Sequence, residues 1–417
     1  MKKVLVISGI TAAGKSSAAR RFAQKFGAEI VSCDSTKVYR HYDVGTNKPT
    51  RLHLSVLKHH LVDFVKPGSI HYSAGEFFDD AQAALTNIYR RKSSAVVVGG
   101  TWMYLRFLLY GKPSTGKVDP PARELVSHML DLCKPDWDYA TSLLEAVDPG
   151  AAEMVSRNNW ARLARYLEIF FHSGSTISDH GRRGGSPGGD GLLGYGEYDF
   201  RPIFLVAPRA ETWKRIDNRC RSMLRHNGII EEVAFLLEND LIPDGFAVSR
   251  SVGYAETKEV LLKFARGIEQ TRKRPAVVHY VEQMVYNNRK LARNQLKVFK
   301  KEPDFVWVDT VDAQSLDETL VHLFQCSREE FDAYRNTREV MLLKEHSLAR
   351  DREAMKMLKL RNYNETILDK FFMRDVQRRI EALAEGVRKE LNIIPDESGS
   401  PTKRHDQYKS KRFLPSN

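Results

Sequence analysis

Gly9-Ile-Thr-Ala-Ala-Gly14-Lys15-Ser16 matches G-x-x-x-x-G-K-[ST]. It stands between a strand-like run, Val4 to Ser8, and a helical pattern in Ala18, Phe22 and Phe26. Gly9 and Gly14, with Thr11, Ala12 and Ala13 between them, would let backbone N–H groups wrap a diphosphate, and the helix N-terminus would add a favourable dipole. Lys15 would neutralise phosphate oxygens, and the Ser16 hydroxyl would hold Mg²⁺. An ordinary glycine turn is the alternative, and the flanking strand, the spacing and the N-terminal position weigh against it. Asp34 follows a second strand-like run, Ala28 to Ser32. Thr101 follows Val96-Val97-Val98-Gly99-Gly100, where many phosphate-loop ATPases carry a carboxylate that holds Mg²⁺. Parallel sheets bind ligand at the carboxyl ends of their strands, so all three features are expected in one crevice. A base and a hydroxyl facing a bound diphosphate suit transfer of a group away from that diphosphate. The alternative for Asp34 is a turn or N-cap aspartate.

These residues need a scaffold, and the alternation of apolar patterns supplies one. Ser73 to Arg91 reads as an amphipathic helix and Ala95 to Val98 as a buried strand, which predicts an α/β fold, a phosphate-loop NTPase-like parallel sheet flanked by helices. The first part of that core spans 1–115. Helices without strands follow over 116–180, an all-helical insertion. Residues 181–199 read as a linker because eight glycines fall between Gly181 and Gly196. The core resumes over 200–310, with a strand at Ile203 to Val206, helices at Ala210 to His226, Ile229 to Glu238, Glu256 to Phe264 and Pro275 to Lys301, and a last strand at Phe305 to Val308. A charged helical C-terminal extension is expected over 311–395, and 396–417 reads as a disordered basic tail.

Composition narrows the function classes. In 417 residues, 65 Lys+Arg exceed 53 Asp+Glu by 12, which favours a polyanionic partner. Cys33, Cys133, Cys220 and Cys326 are widely spaced, so neither a zinc cluster nor a disulfide framework is legible. The most apolar stretch, Ala95 to Gly111, is interrupted by Gly99-Gly100 and Arg106 and is shorter than the roughly 20 residues of a membrane span. With no leader pattern before Val4, the cytoplasm is the default expectation, and a mitochondrial or plastid address would require a removed leader.

The pattern resembles the tRNA dimethylallyltransferase family. The motifs that carry the resemblance are Gly9 to Ser16, Asp34-Ser-Thr-Lys-Val-Tyr39, Asp43-Val-Gly-Thr-Asn-Lys-Pro49, His59-His-Leu-Val-Asp63, Val98-Gly-Gly-Thr101, Arg162-Leu-Ala-Arg165, Arg215-Ile-Asp-Asn-Arg219, Ser251-Val-Gly-Tyr254 and Arg289-Lys-Leu-Ala-Arg293-Asn-Gln295. They cover roughly residues 4 to 310, and the charged helices beyond Cys326 resemble the extension of a plant-type, organelle-associated branch. The resemblance implies transfer of a dimethylallyl group from dimethylallyl diphosphate to N6 of the adenine 3′ to the tRNA anticodon. It implies Asp34 as general base, Thr101 as a hydrogen-bonding group at the reacting centre, and Lys15, Arg219 and nearby Arg215 as diphosphate ligands. It also implies RNA contacts from Ser35, Thr36, Lys37, Arg250, Gly253, Tyr254 and Gln295. The chain departs from the family's usual residues at Ile10, Lys37, Trp102, Ala161 and Lys297-Val298.

Arg289, Arg293, Lys297 and Lys300 recur at spacings that place them in one stripe of a helix, with no acidic residue between Tyr286 and Lys301. Such a stripe is expected to meet RNA phosphates; a solvated face is the bland alternative. Arg162 and Arg165 add a smaller patch in the insertion, which would clamp the anticodon stem-loop, or are plain surface arginines. His59 and His60, with only Asp63 nearby, read as structural hydrogen-bonding residues in preference to metal ligands. A monomer suffices for this reading. Its competitors are an adenylate prenyltransferase and a non-catalytic tRNA-binding protein.

Overall fold

The computed structural model describes residues 1–68, 72–112, 115–116, 118–181, 197–226, 228–244, 246, 248–267, 273–346 and 370–393. Six parallel strands form one sheet in the order β3-β2-β4-β1-β5-β6. They are β1 (Lys2–Gly9), β2 (Ala28–Cys33), β3 (His59–His60), β4 (Ser94–Gly99), β5 (Tyr198–Val206) and β6 (Val306–Asp309). The central strands carry β-branched runs such as Val4-Leu5-Val6-Ile7 and Val96-Val97, buried as expected of a parallel sheet covered on both faces. Helices α1 (Lys15–Phe26), α2 (Arg51–Val56), α3 (Ala74–Arg90) and α4 (Trp102–Tyr110) lie in the first half of the core.

The insertion is a group of short helices, α5 (Pro120–Cys133), α6 (Trp137–Glu145), α7 (Pro149–Met154), α8 (Trp160–Ser173) and α9 (Ile177–Gly181). Asp119, Asp136, Asp148 and Asn159 each accept a backbone N–H at a helix start, and prolines follow two of them, at Pro120 and Pro149. Val126, Leu130, Leu144, Leu163 and Leu167 build a core of its own, separate from the sheet's, with Trp137 edge-on to Trp160.

After the insertion the core continues through α10 (Arg209–Met223), α11 (Ile229–Glu238), α12 (Tyr254–Ala265) and α13 (Lys273–Phe299). The linker expected over 181–199 ends earlier than the sequence indicated, because β5 begins at Tyr198; residues 182–196 lie outside the described residues. Two charges hid this strand. Asp199 and Arg201 are buried and paired at 2.6 Å, and Arg201 also donates to the Ser327 carbonyl and lies over the Phe331 ring.

The C-terminal helices α14 (Ala313–Gln325), α15 (Arg328–Arg335), α16 (Arg338–His346) and α17 (Lys370–Glu390) complete the same hydrophobic core. Phe324 of α14 packs edge-on against Phe22 and Phe26 of α1. Val376, Ile380 and Val387 of α17 are fully buried. Arg379 ties this helix down by a two-oxygen pairing with Glu231 and by donating to the Leu224 and Arg225 carbonyls. The basic tail expected over 396–417 lies outside the described residues. Among the described residues, no helix is long and apolar enough to cross a membrane.

Candidate active site

β1, β2 and β4 end side by side, and their carboxyl ends open into a cavity of about 890 Å³. The phosphate loop forms its floor. Gly14 caps α1 with φ +88°, a conformation that favours glycine, and turns the loop into the helix. Gly99 lets β4 approach β2, since a Cβ there would sit 1.8 Å from the Cys33 carbonyl oxygen. That close approach brings Thr101 beside the Asp34 loop, where its hydroxyl accepts from the Ser35 N–H at 3.0 Å and donates to Ser35 Oγ at 3.3 Å.

Asp34 is held by its successors. Its Oδ1 accepts from the Thr36 N–H at 2.9 Å, the Thr36 hydroxyl at 2.7 Å and the Lys37 N–H at 3.4 Å, leaving Oδ2 outside these bonds. Burial pushes the carboxyl up, but the Lys37 ammonium and the Thr36 hydrogen bonds outweigh it, so the group lies below its ordinary value. The result is a fixed, ionised acceptor.

Opposite stands an excess of cations. Lys15, Arg20, Lys37, Lys48, Arg215, Arg219 and Arg250 line the cavity, with Asp34 as its single carboxylate among the described residues. Lys48 is neutralised at 2.6 Å by Asp43 and by Asp63, and Arg215 is paired with Glu211 at 2.9 Å. Arg219 differs. Its guanidinium donates to the Thr11 hydroxyl at 3.1 Å, its Nε is buried without a partner, and it forms no carboxylate pair among the described residues. A buried cation without a counter-ion is costly unless an anion enters, and Arg219 faces the phosphate loop.

Lys15 donates to the Gly9 and Ile10 carbonyls at 2.9 and 2.7 Å. Burial, with the Lys37 charge adding to it, lowers this ammonium to about 7. A bound anion favours the charged form, so diphosphate binding is expected to take up a proton above that pH. The sign follows from linkage: below about 7 this lysine is already charged and affinity is flat, and above it affinity weakens by up to about tenfold per pH unit. Calorimetry of diphosphate binding at pH 8 in buffers of different ionisation enthalpy reads the uptake. It should disappear in Lys15→Met.

Of the residues singled out in the sequence, Thr11, Ala12, Gly14, Lys15, Ser16, Asp34, Ser35, Thr36, Lys37, Thr101, Arg215, Arg219, Arg250 and Gln295 share this cavity. Gln295 reaches down from α13 and accepts the Thr11 N–H at 2.7 Å, so it braces the phosphate loop. Ala13 is buried behind the loop, and Gly9 contributes its carbonyl to Lys15. Tyr254 is fully buried and donates to Glu232, whose carboxylate accepts the Asp43, Val44 and Gly45 N–H groups; Gly253 opens the helix that carries Tyr254. This pair supports the cavity wall and is not part of its lining.

The basic stripe is divided. Asn288, Leu291 and Gln295 turn one face of α13 to the cavity, whereas Arg293 and Lys297 fall about half a turn away around the helix. Arg289 pairs with the buried carboxylate of Asp217 at 2.6 Å and lies over Trp213, and Lys300 donates to the Glu345 carbonyl. Two of the four cations therefore hold neighbouring helices. Arg162 and Arg165 lie on α8 of the insertion, Arg165 at 3.5 Å from Glu168. His60 is structural: its Nε2 meets Glu29 at 2.6 Å, beside Arg91. Trp102, a departure from the family pattern, donates its indole N–H to buried Glu302 at 2.6 Å. The cavity also includes Arg20, His53 and Asn288, which no motif announced.

The model of the IPP transferase family matches residues 37–302. The chain is 34% identical over 372 residues to tRNA dimethylallyltransferase 9 of Arabidopsis thaliana, covering 82% of this chain and 77% of that one. It is 33% identical to the tRNA dimethylallyltransferase of Methylococcus capsulatus over 310 residues, 74% of this chain and 92% of the relative. Among solved structures, a tRNA isopentenylpyrophosphate transferase from Staphylococcus epidermidis superposes with a TM-score of 0.51 at 25% identity, covering 78% of this chain and 99% of that one. A eukaryotic dimethylallyltransferase acting on tRNA shares the fold, with a TM-score of 0.62 at 23% identity over 83% of this chain and 85% of the other. The phosphate loop, the ionised Asp34 and the unpaired Arg219 thus sit in a chain that belongs to the tRNA dimethylallyltransferase, or IPP transferase, family.

Proposed function

We propose that this chain transfers the dimethylallyl group of dimethylallyl diphosphate to N6 of the adenine 3′ to a tRNA anticodon, releasing diphosphate and acting as a monomer. The observation that carries the reading is the single cavity in which a cationic phosphate loop faces one fixed carboxylate. In the reaction the N6 nitrogen bonds to C1 of the allyl group as the C1–O bond breaks and its electron pair leaves with the diphosphate. Asp34 takes the N6 proton through Oδ2, and Thr101 is the hydroxyl placed beside that carboxylate's loop. Lys15, Arg219 and the N-terminus of α1 receive the charge that develops on the leaving group.

The Ser16 hydroxyl, with diphosphate oxygens and water, is a donor set that suits Mg²⁺, which typically takes few protein ligands at phosphate sites. Bound there, the ion would further compensate the charge of the leaving diphosphate. The acceptor adenine must leave its stack to reach the cavity, and the insertion, with Arg162 and Arg165, is the element suited to clamp the loop.

The test is to supply labelled dimethylallyl diphosphate with tRNA and AMP together. Label in tRNA alone is expected. Label in AMP alone would make the chain an adenylate prenyltransferase, and tRNA binding without transfer would make it a binding protein.

The divided stripe leads to a separate expectation. Arg293→Gln with Lys297→Gln should weaken tRNA binding and reduce the salt slope by about one unit or less for each phosphate that is no longer neutralised. Arg289→Gln should instead lower stability, because it breaks the 2.6 Å pair with the buried carboxylate of Asp217. Binding isotherms across ionic strength and thermal midpoints separate the two effects.

A further inference from the structure

Besides the phosphate loop, the cavity's lining includes Arg20 of α1, Lys37, His53 of α2 and His59 of β3, the group called the lobe below. These groups feel one another: Arg20 and Lys37 both disfavour the charged form of His59, and Arg20 acts likewise on Lys37. Among the described residues neither the Arg20 guanidinium nor the Lys37 ammonium has a hydrogen-bond or ion-pair partner. The two imidazoles are oriented by their Nδ1 atoms. His53 Nδ1 accepts the Thr50 N–H at 3.3 Å in a helix cap, so its Nε2 bears the proton and is a donor. His59 Nδ1 lies 2.8 Å from the Leu57 carbonyl and must donate to it, so in the neutral ring its Nε2 is an acceptor and offers an anion no hydrogen bond. Asp34 is the single carboxylate of the cavity among the described residues, and its Oδ1 is already engaged. Arg20 without a counter-ion, the His53 Nε2–H donor, and Lys37, whose charge also serves Asp34, make a receptor for an anion. Lys15, Arg219 and the loop amides are the groups suited to the donor's diphosphate, and Arg20 and His53 stand outside that set, so the anion they meet is a different one.

We propose that Arg20, Lys37 and His53, with His59 in the wall beside them, form a second phosphate subsite, which holds a backbone phosphate adjoining the acceptor adenosine of the RNA. The proposal rests on the tRNA-prenylation reading. An extruded nucleotide carries a phosphate on each side, and fixing one of them locates the adenine against Asp34 without reading its base edge. The subsite thereby gives Lys37 a role as a phosphate ligand.

The test uses the full chain, dimethylallyl diphosphate and an anticodon stem-loop RNA. The RNA is all-phosphodiester or carries one uncharged methylphosphonate, at the linkage 5′ or 3′ of the acceptor adenosine. Arg20→Gln combined with His53→Gln should raise the KM for RNA about tenfold, the value of one charge-assisted hydrogen bond, with the KM for the donor within about twofold. One of the two methylphosphonates should raise the wild-type KM about tenfold and add less than about twofold in the double variant. Arg20→Lys should keep the KM for RNA within about threefold, which separates charge from packing. Penalties that multiply at both linkages would overturn the proposal. So would a rise in the donor KM with an unchanged RNA KM, which would place the donor's anion in the lobe. Prenylation of AMP by the wild type that the double variant loses while its prenylation of RNA is unchanged would assign the lobe to a free nucleotide and also overturn it. If the wild type modifies no RNA, the parent reading fails, and equilibrium binding of the same three RNAs then carries the coupling test.

Discussion

Asp34→Ala is expected to slow single-turnover prenyl transfer by about 10²- to 10⁴-fold while leaving tRNA affinity within about twofold. The N6 amine of adenine is a weak nucleophile whose proton must leave as the new bond forms, and Asp34 is the only carboxylate lining the cavity among the described residues. Its ionised state is built in, through Lys37 and the two Thr36 donors, so the acid limb of the rate profile should fall below the ordinary carboxylate range. Protonation on lowering the pH removes the acceptor, which fixes the sign: activity is present above the folded-state value and lost below it. Asp34→Asn keeps an oxygen for the Thr36 donors and should be as slow as alanine. A variant with a tenth of wild-type turnover would show that another group takes the proton.

Arg219→Ala is expected to lower kcat/KM for dimethylallyl diphosphate by about 10²- to 10³-fold, the usual scale for removing one donor from a developing oxyanion. Its effect on stability should have the opposite sign. The guanidinium is buried without a carboxylate partner, and its own charge is disfavoured by that burial, so its removal relieves a desolvation cost. A variant with an unchanged or higher thermal midpoint and sharply reduced donor use is the predicted pair of results. A lowered midpoint with normal donor use would make Arg219 a structural residue.

Much of the cavity's lining is legible in the sequence because each piece is local. The phosphate loop places its amides, lysine and hydroxyl within eight consecutive residues, and Asp34 and Thr101 each follow an apolar run that ends as a strand. Long-range pairing was not legible. Arg289 looked like part of an RNA-facing stripe because periodicity reports a helix face and not what packs on it; its partner Asp217 is on another helix. The start of β5 was hidden by Asp199 and Arg201, charges that oppose a buried strand until their mutual pairing is seen. Tyr254 resembled a binding residue and proves to hold the loop at Asp43 to Gly45 through Glu232. Arg20 and His53 carried no signal, since one is a helix-surface cation in sequence and the other lies in a six-residue helix without buried side chains.

The most direct test of the central claim, that one cavity joins diphosphate departure to proton removal from an adenine N6, is a site-mapped digest. tRNA is incubated with the chain and dimethylallyl diphosphate, cut by a sequence-specific ribonuclease, and the fragments are read by mass spectrometry. One dimethylallyl group is expected, on N6 of the adenosine 3′ to the anticodon, and the same fragment should accumulate about 10²- to 10⁴-fold more slowly when Asp34→Ala replaces the wild type. Unmodified tRNA with the wild-type chain, or that fragment formed by Asp34→Ala at a tenth or more of the wild-type rate, would contradict the claim.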